Sequence, residues 1–146
     1  MKGCVEMKKI ISVIIAALLL LFTCACGAEK SADENAVLYP DAATEAVSLG
    51  SGAKDLDFTA IDKNGTEYKF HIHTDKTFVG EALEELGLIE GTEGAYGMYV
   101  NKVNGIYAEY EVTGTYWAFY TDGTYALAGI DQTEITEGTE YSMIIE

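Results

Sequence analysis

Arginine is absent from this chain, proline occurs once, at Pro40, and nine lysines face 24 acidic side chains. The formal charge is −15. A surface of that sign repels phosphate backbones and anionic headgroups, which excludes nucleic acid and acidic lipid as partners of the folded part. Scattered acids of this kind read first as a solvated face that keeps a protein soluble. Long hydrophobic runs are also missing. The longest, Ile10 to Phe22, covers 13 residues with Ser12 inside it, short of the roughly 20 that a membrane-spanning helix needs.

Cysteine is scarce as well, with Cys4, Cys24 and Cys26 all near the start. Lys2, Lys8 and Lys9 precede the apolar run, and Thr23-Cys24-Ala25-Cys26-Gly27 follows it. A positive start, a short greasy core and small residues at its end make an export signal, and the terminal cysteine makes it a bacterial lipoprotein signal. Cleavage leaves a small residue before the modified cysteine, so Ala25 selects Cys26 over Cys24, although Thr23 stands where leucine is usual. The expected organisation is a signal peptide over 1–25, a lipidated flexible tether over 26–54 and a folded domain over 55–146. The lipid on Cys26 would hold the protein on the outer, extracytoplasmic face of the cell membrane. Residues 26–146 then keep 6 lysines and 23 acids, a charge of −17, and no thiol besides the lipidated one. Stability must come from an ordinary core rather than disulfides.

The tether assignment rests on composition. Residues 28–53 are mostly Ala, Glu, Ser, Asp, Asn and Gly, with Val37, Leu38, Tyr39, Val47 and Leu49 as the few large apolar residues. From Leu56 the pattern is regular. Leu56, Phe58 and Ala60 alternate with polar residues, Asn64-Gly65 gives a hairpin signal through its tolerance of positive φ, and Tyr68, Phe70 and Ile72 return on one face with Glu67, Lys69, His71 and His73 on the other. Val79, Ala82, Leu83 and Leu86 have the spacing of one buried helical stripe; Thr77 is the expected N-cap and Gly87 the left-handed C-cap. A Gly-rich loop (Gly91, Gly94, Gly97) leads to strand-like runs at Met98–Val103, Tyr107–Val112, Tyr116–Tyr120 and Tyr141–Ile145, with turns at Asn104-Gly105 and Asp122-Gly123. The predicted fold is α+β, a single small β-grasp-like domain with one helix packed on a mixed sheet.

Four blocks of sequence carry a resemblance: TFVGEALEELGLIEG (Thr77 to Gly91), Gly97 to Ile106 with its VNGI, TYWAFYTDGTYALAGID (Thr115 to Asp131) and EGTEYSMII (Glu137 to Ile145). Together they resemble the transcobalamin-like C-terminal domain family, a domain of unknown function common in lipoproteins of Firmicutes. The resemblance covers Leu56 to Glu146 and implies a β-grasp-like fold. In the animal proteins that name the family the domain forms one wall of a cobalamin site, and a helical barrel, which has no counterpart in this sequence, forms the other.

Aromatic side chains are the ligand candidates. Tyr99, Asn104, Tyr116, Trp117 and Tyr120 are singled out, the last three on a strand that puts Tyr116 and Tyr120 on one face and Trp117 and Phe119 on the other. One of those faces is core, and alternation alone leaves open which. His71 and His73 form an HxH pair that could bite a metal with a third ligand such as Glu67; two solvated histidines would look the same, and no metal is assigned. Asp62–Gly65 resembles the start of a calcium loop, but no bidentate glutamate follows at the twelfth position. No GxSxG elbow, HExxH pair or phosphate-binding glycine loop occurs, so the chain does not read as an enzyme. The expected function is a lipid-anchored binding module for a corrinoid, cobalamin-like ligand feeding a membrane transporter. The alternatives are a protein–protein assembly module that docks an envelope protein by strand addition and a carbohydrate-binding module. No cofactor is expected beyond a corrinoid as ligand.

Overall fold

The computed structural model describes residues 36–146. The signal peptide, Cys26 and the start of the tether lie outside the described residues.

Nine strands and two helices follow in chain order: β1 Val47–Gly50, β2 Lys54–Ile61, β3 Glu67–Thr74, α1 Val79–Glu85, β4 Ile89–Gly94, β5 Gly97–Val103, β6 Ile106–Tyr107, α2 Tyr110–Thr113, β7 Trp117–Thr121, β8 Thr124–Tyr125 and β9 Glu140–Ile145. Single 3₁₀ turns occupy Pro40–Ala43 and Ile130–Gln132. Six strands form one sheet in the order β1-β3-β2-β9-β7-β8, and β4-β5-β6 form a second. The first sheet is mixed, because β1 runs parallel to β3 and β2 parallel to β9 while the other neighbours are antiparallel. A hairpin, a helix and a last strand parallel to the first hairpin strand is the β-grasp-like arrangement, here α+β with one main helix. The small second sheet is an addition to it.

Alternation builds the core as expected. Leu56, Phe58 and Ala60 of β2 and Tyr68, Phe70 and Ile72 of β3 are all buried, and Phe58 and Phe70 stack at 6.1 Å. The β2–β3 turn differs in detail. Only Gly65 of the Asn64-Gly65 pair takes a positive φ, because Asp62 closes the loop by accepting from the N–H groups of Asn64 (2.8 Å) and Thr66 (2.9 Å). Partial burial works to raise the Asp62 carboxyl, but those donors hold it below its ordinary value. Its oxygens are committed to a turn, not to a calcium loop.

Helix α1 buries Val79, Ala82 and Leu83. Its N-cap is Phe78 rather than Thr77; the Thr77 carbonyl instead accepts from the Ile135 N–H, and Glu81 reaches back to the Phe78 N–H. The other end is a Schellman cap, with Gly87 N–H on the Glu84 carbonyl and Leu88 N–H on that of Leu83, and the two leucines buried together.

Three segments correct the sequence expectation. Residues assigned to the tether are structured from Val37 to Gly50: β1 pairs with β3, Ala42 is fully buried, and Tyr39 meets Phe70 edge-on at 5.8 Å. The few apolar residues there suffice, because each of Val37, Tyr39, Val47 and Leu49 packs against the core. The glycine-rich stretch is strand β4, with a bulge between Glu90 and Gly91; at Gly91 a side chain would run into the Tyr99 carbonyl. The run Tyr107–Val112 is no strand. After β6 it turns into α2, which ends at Gly114 in the left-handed conformation.

Candidate ligand-binding cleft

Strand β7 is where the two sheets meet. It pairs with β9 along its whole length, Trp117 to Thr121, and alternation puts Ala118 and Tyr120 on one face. Trp117 and Phe119 point the opposite way, and both are buried. The open question of the strand's two faces is thereby answered: tryptophan and phenylalanine belong to the core. The Trp117 indole N–H donates to the Ile106 carbonyl at 3.1 Å, tying the large sheet to β6 of the small one.

Beyond Trp117 a cleft of about 410 Å³ opens between β7, the start of β5 and the segment after β8, lined among others by Met98, Tyr99, Tyr116, Trp117, Tyr125 and Leu127. The Asp122-Gly123 turn, both residues at positive φ, reverses the chain into β8. The Ala126 N–H then bonds the Phe119 carbonyl and ends the pairing, so the chain departs from β7 and leaves the cleft beside Trp117. Leu127 is fully exposed at 105% and Tyr125 is 55% exposed. A lone surface leucine means little. Leucine, methionine and three tyrosines around one concavity make an apolar rim with polar handles, the composition of a ligand seat.

On the outer face of β7 the phenols of Tyr116 and Tyr120 both donate to the Glu146 carboxylate, Tyr116 at 2.9 Å. That hydrogen bond is the main reason the Tyr120 hydroxyl is pushed up to about 12, and Tyr116 is raised for the same cause. The bond from Tyr120, then that from Tyr116, holds Glu146 below its ordinary value. Both phenols therefore stay protonated as donors through neutral pH.

Of the ligand candidates read from the sequence, Tyr99, Tyr116 and Trp117 line this cleft. Tyr120 lies on the outer face against Tyr125, their rings edge-to-face at 5.5 Å. Asn104 is elsewhere and wholly buried; its Oδ1 accepts from the Tyr39 N–H and its carbonyl from the Leu38 N–H, both at 3.0 Å. It fastens the N-terminal segment and is closed to a ligand. Met98 and Leu127 were not legible as site residues, since Leu127 sits in an Ala-Leu-Ala-Gly stretch without periodicity.

His71 and His73 are on the outer face of β3, three strands from β7 in the sheet. Their Nδ1 atoms bond Asp57 (2.7 Å) and Asp55 (2.5 Å) across the hairpin. The bond to Asp57 is the chief cause raising the His71 imidazole above its ordinary value. Glu67, the acid expected beside the pair, is bridged to Lys69 at 3.0 Å.

Fold and cleft together define a small α+β domain with an aromatic-lined cleft. A protein-family profile described as a domain of unknown function, DUF4430, matches residues 75–141, the span that holds most of the resemblance blocks. Among solved structures the chain is similar to a candidate metal-binding protein from Ruminococcus gnavus ATCC 29149, with 26% identity over 64% of this chain and 97% of that one and a TM-score of 0.60. It also matches haptocorrin in complex with Cbi, at 14% identity over 67% of this chain, with a TM-score of 0.46. The matched region spans 26% of haptocorrin's length. No curated protein matches the chain.

Proposed function

We propose that this protein is a capture module on the outer face of a membrane, anchored by a lipid on Cys26, whose cleft beside β7 holds a flat, amphipathic ligand of the corrinoid class for transfer to a membrane transporter. The role is binding, not catalysis. The observation that carries the reading is the cleft, lined by Trp117 together with Tyr99, Tyr116, Tyr125, Met98 and Leu127. Aromatic faces stack on a planar macrocycle, and the tyrosine hydroxyls meet its polar periphery. At about 410 Å³ the cleft takes one edge of such a molecule, and the remainder rests against the exposed rim or a second protein.

The test is calorimetric titration of the full chain in detergent with cobalamin and with cobinamide. Saturable one-site binding is expected at micromolar affinity or better. Leu127→Asp, at a fully exposed position, should weaken it about tenfold or more, the contribution of one leucine contact. No saturable binding by the native protein, or equal binding by Leu127→Asp, would overturn the corrinoid reading. A protein partner is then favoured, docking on the exposed Tyr125 and Leu127 of the rim. The anchor is checked separately. Cys26→Ala should abolish incorporation of a palmitate analogue and Cys24→Ala leave it intact; labelling that survives Cys26→Ala would place the anchor elsewhere.

A further inference from the structure

The outer face of the β2–β3 hairpin carries a second constellation, far from the cleft in the sheet order. The two strands read Asp55-Leu56-Asp57 and His71-Ile72-His73, with the central residues in the core. Their antiparallel register sets Asp55 opposite His73 and Asp57 opposite His71, so two imidazoles and two carboxylates occupy one square of the surface. The rings meet edge-to-face at 4.9 Å. One ligating atom from each of Asp55, His71 and His73 lies within 4.8 Å of the others.

We propose that Asp55, His71 and His73 form a site for a divalent transition-metal ion, with Asp57 holding His71 in its ligating orientation. A tetrahedral ion with bonds of about 2.0–2.1 Å brings its ligand atoms to about 3.3 Å of one another. The side chains are 36–71% exposed and free to close that gap by small rotations. An ionised carboxylate can only accept, so the His71 Nδ1 bonded to Asp57 donates and leaves that ring's lone pair on Nε2; at His73 the ion takes the place of the proton shared with Asp55. A carboxylate behind the imidazole is the usual support of a metal-bound histidine. Charge favours a cation as well. Glu140 stands next to Asp57 across β9, while the nearby lysines are engaged elsewhere: Lys69 with Glu67, and Lys54 with the Lys76 carbonyl. Two imidazoles select zinc, copper, nickel or cobalt over magnesium and calcium, which want oxygen alone. Opposite His73 on β1 is Gly50, whose lack of a side chain leaves the ion open to water on that side.

The chain has two histidines, which makes the test direct. The untagged full-length protein, stripped with a chelator, is titrated with Zn²⁺ in the presence of excess Mg²⁺. One saturable site at micromolar affinity is expected, weakened about 100-fold in His71→Ala/His73→Ala and about 10-fold in Asp57→Asn, the range for loss of a supporting carboxylate. On the unaltered protein, Co²⁺ should shift the ring protons of both histidines together. No saturable Zn²⁺ binding, full suppression by Mg²⁺, binding undiminished in the double variant, or histidine resonances unmoved by Co²⁺ would each overturn the site.

Discussion

Trp117→Ala will lower the unfolding free energy by about 3–5 kcal/mol, the range for emptying a buried aromatic site. Domains of this size are stable by about 5–15 kcal/mol, so a large part of the total is at stake. Two losses combine. The indole is 5% exposed, and it lies where β7 of the large sheet meets β6 of the small one. Its removal opens a cavity at that junction, and it also leaves the Ile106 carbonyl without its 3.1 Å donor. Trp117→Phe separates the two, since it keeps most of the apolar volume and loses the hydrogen bond; about 1–2 kcal/mol is expected there. Urea denaturation followed by far-ultraviolet circular dichroism measures both. Midpoints equal to the native protein's would mean that Trp117 does not join the sheets. For the same reason the cleft is best probed at Leu127, where a loss of affinity is not confounded by a loss of fold.

The second large effect is expected at Gly105→Ala. Gly105 follows Asn104 in the tight turn between β5 and β6, with φ of +80° and +50° for the pair. The left-handed backbone alone costs an L-residue about 1–2 kcal/mol. The added methyl would also fall 2.1 Å from the Ala36 carbonyl oxygen and 3.1 Å from the Leu38 side chain. Backbone cannot yield as a flexible side chain does, so the segment from Ala36 to Tyr39 must lift away from Asn104. The amide protons of Leu38 and Tyr39, both bonded to Asn104, should then exchange with solvent much faster, and the melting temperature should fall by about 10 °C, at roughly 4–8 °C per kcal/mol. Retained protection of those two amides with an unchanged melt would show that the turn and the N-terminal segment are independent.

Much of the fold was legible because its central hairpin and helix are governed by local periodicity. Leu56, Phe58 and Ala60, then Tyr68, Phe70 and Ile72, declare a buried face at a spacing of two, and Val79, Ala82 and Leu83 declare one at helical spacing. The misreadings fall where contacts other than the segment's own apolar pattern decide the structure. Strand β1 has only Val47 and Leu49 to mark it, and its pairing with Phe70 and Ile72 is invisible to composition. Strand β4 reads as a loop because its glycines answer to the close approach of β5 rather than to any turn. The run from Tyr107 to Val112 alternates like a strand, yet β5 pairs with it only as far as Tyr107, after which local bonds close a helical turn. The site follows the same division. The HxH of His71 and His73 was plain, but the carboxylates beside them come from the opposite strand, not from Glu67 on their own. The aromatic content of the cleft was plain too; that Trp117 is buried against Ile106, and Asn104 fastens Leu38 and Tyr39, depends on partners the local pattern does not show.

The position of β9 bears on how the molecule is assembled. It lies between β2 and β7, and among the described residues no other strand links the hairpin half of the large sheet to the cleft half. The pairing of Phe58 with Tyr141 closes a loop that encloses the helix, the whole small sheet and the wall of the cleft. Loop-closure entropy opposes such a contact until late, and contacts this far apart along a chain slow folding. Of the described strands, β9 is the last in chain order. The hairpin and helix can form early, but the large sheet becomes continuous only once Glu140–Ile145 has paired with both β2 and β7.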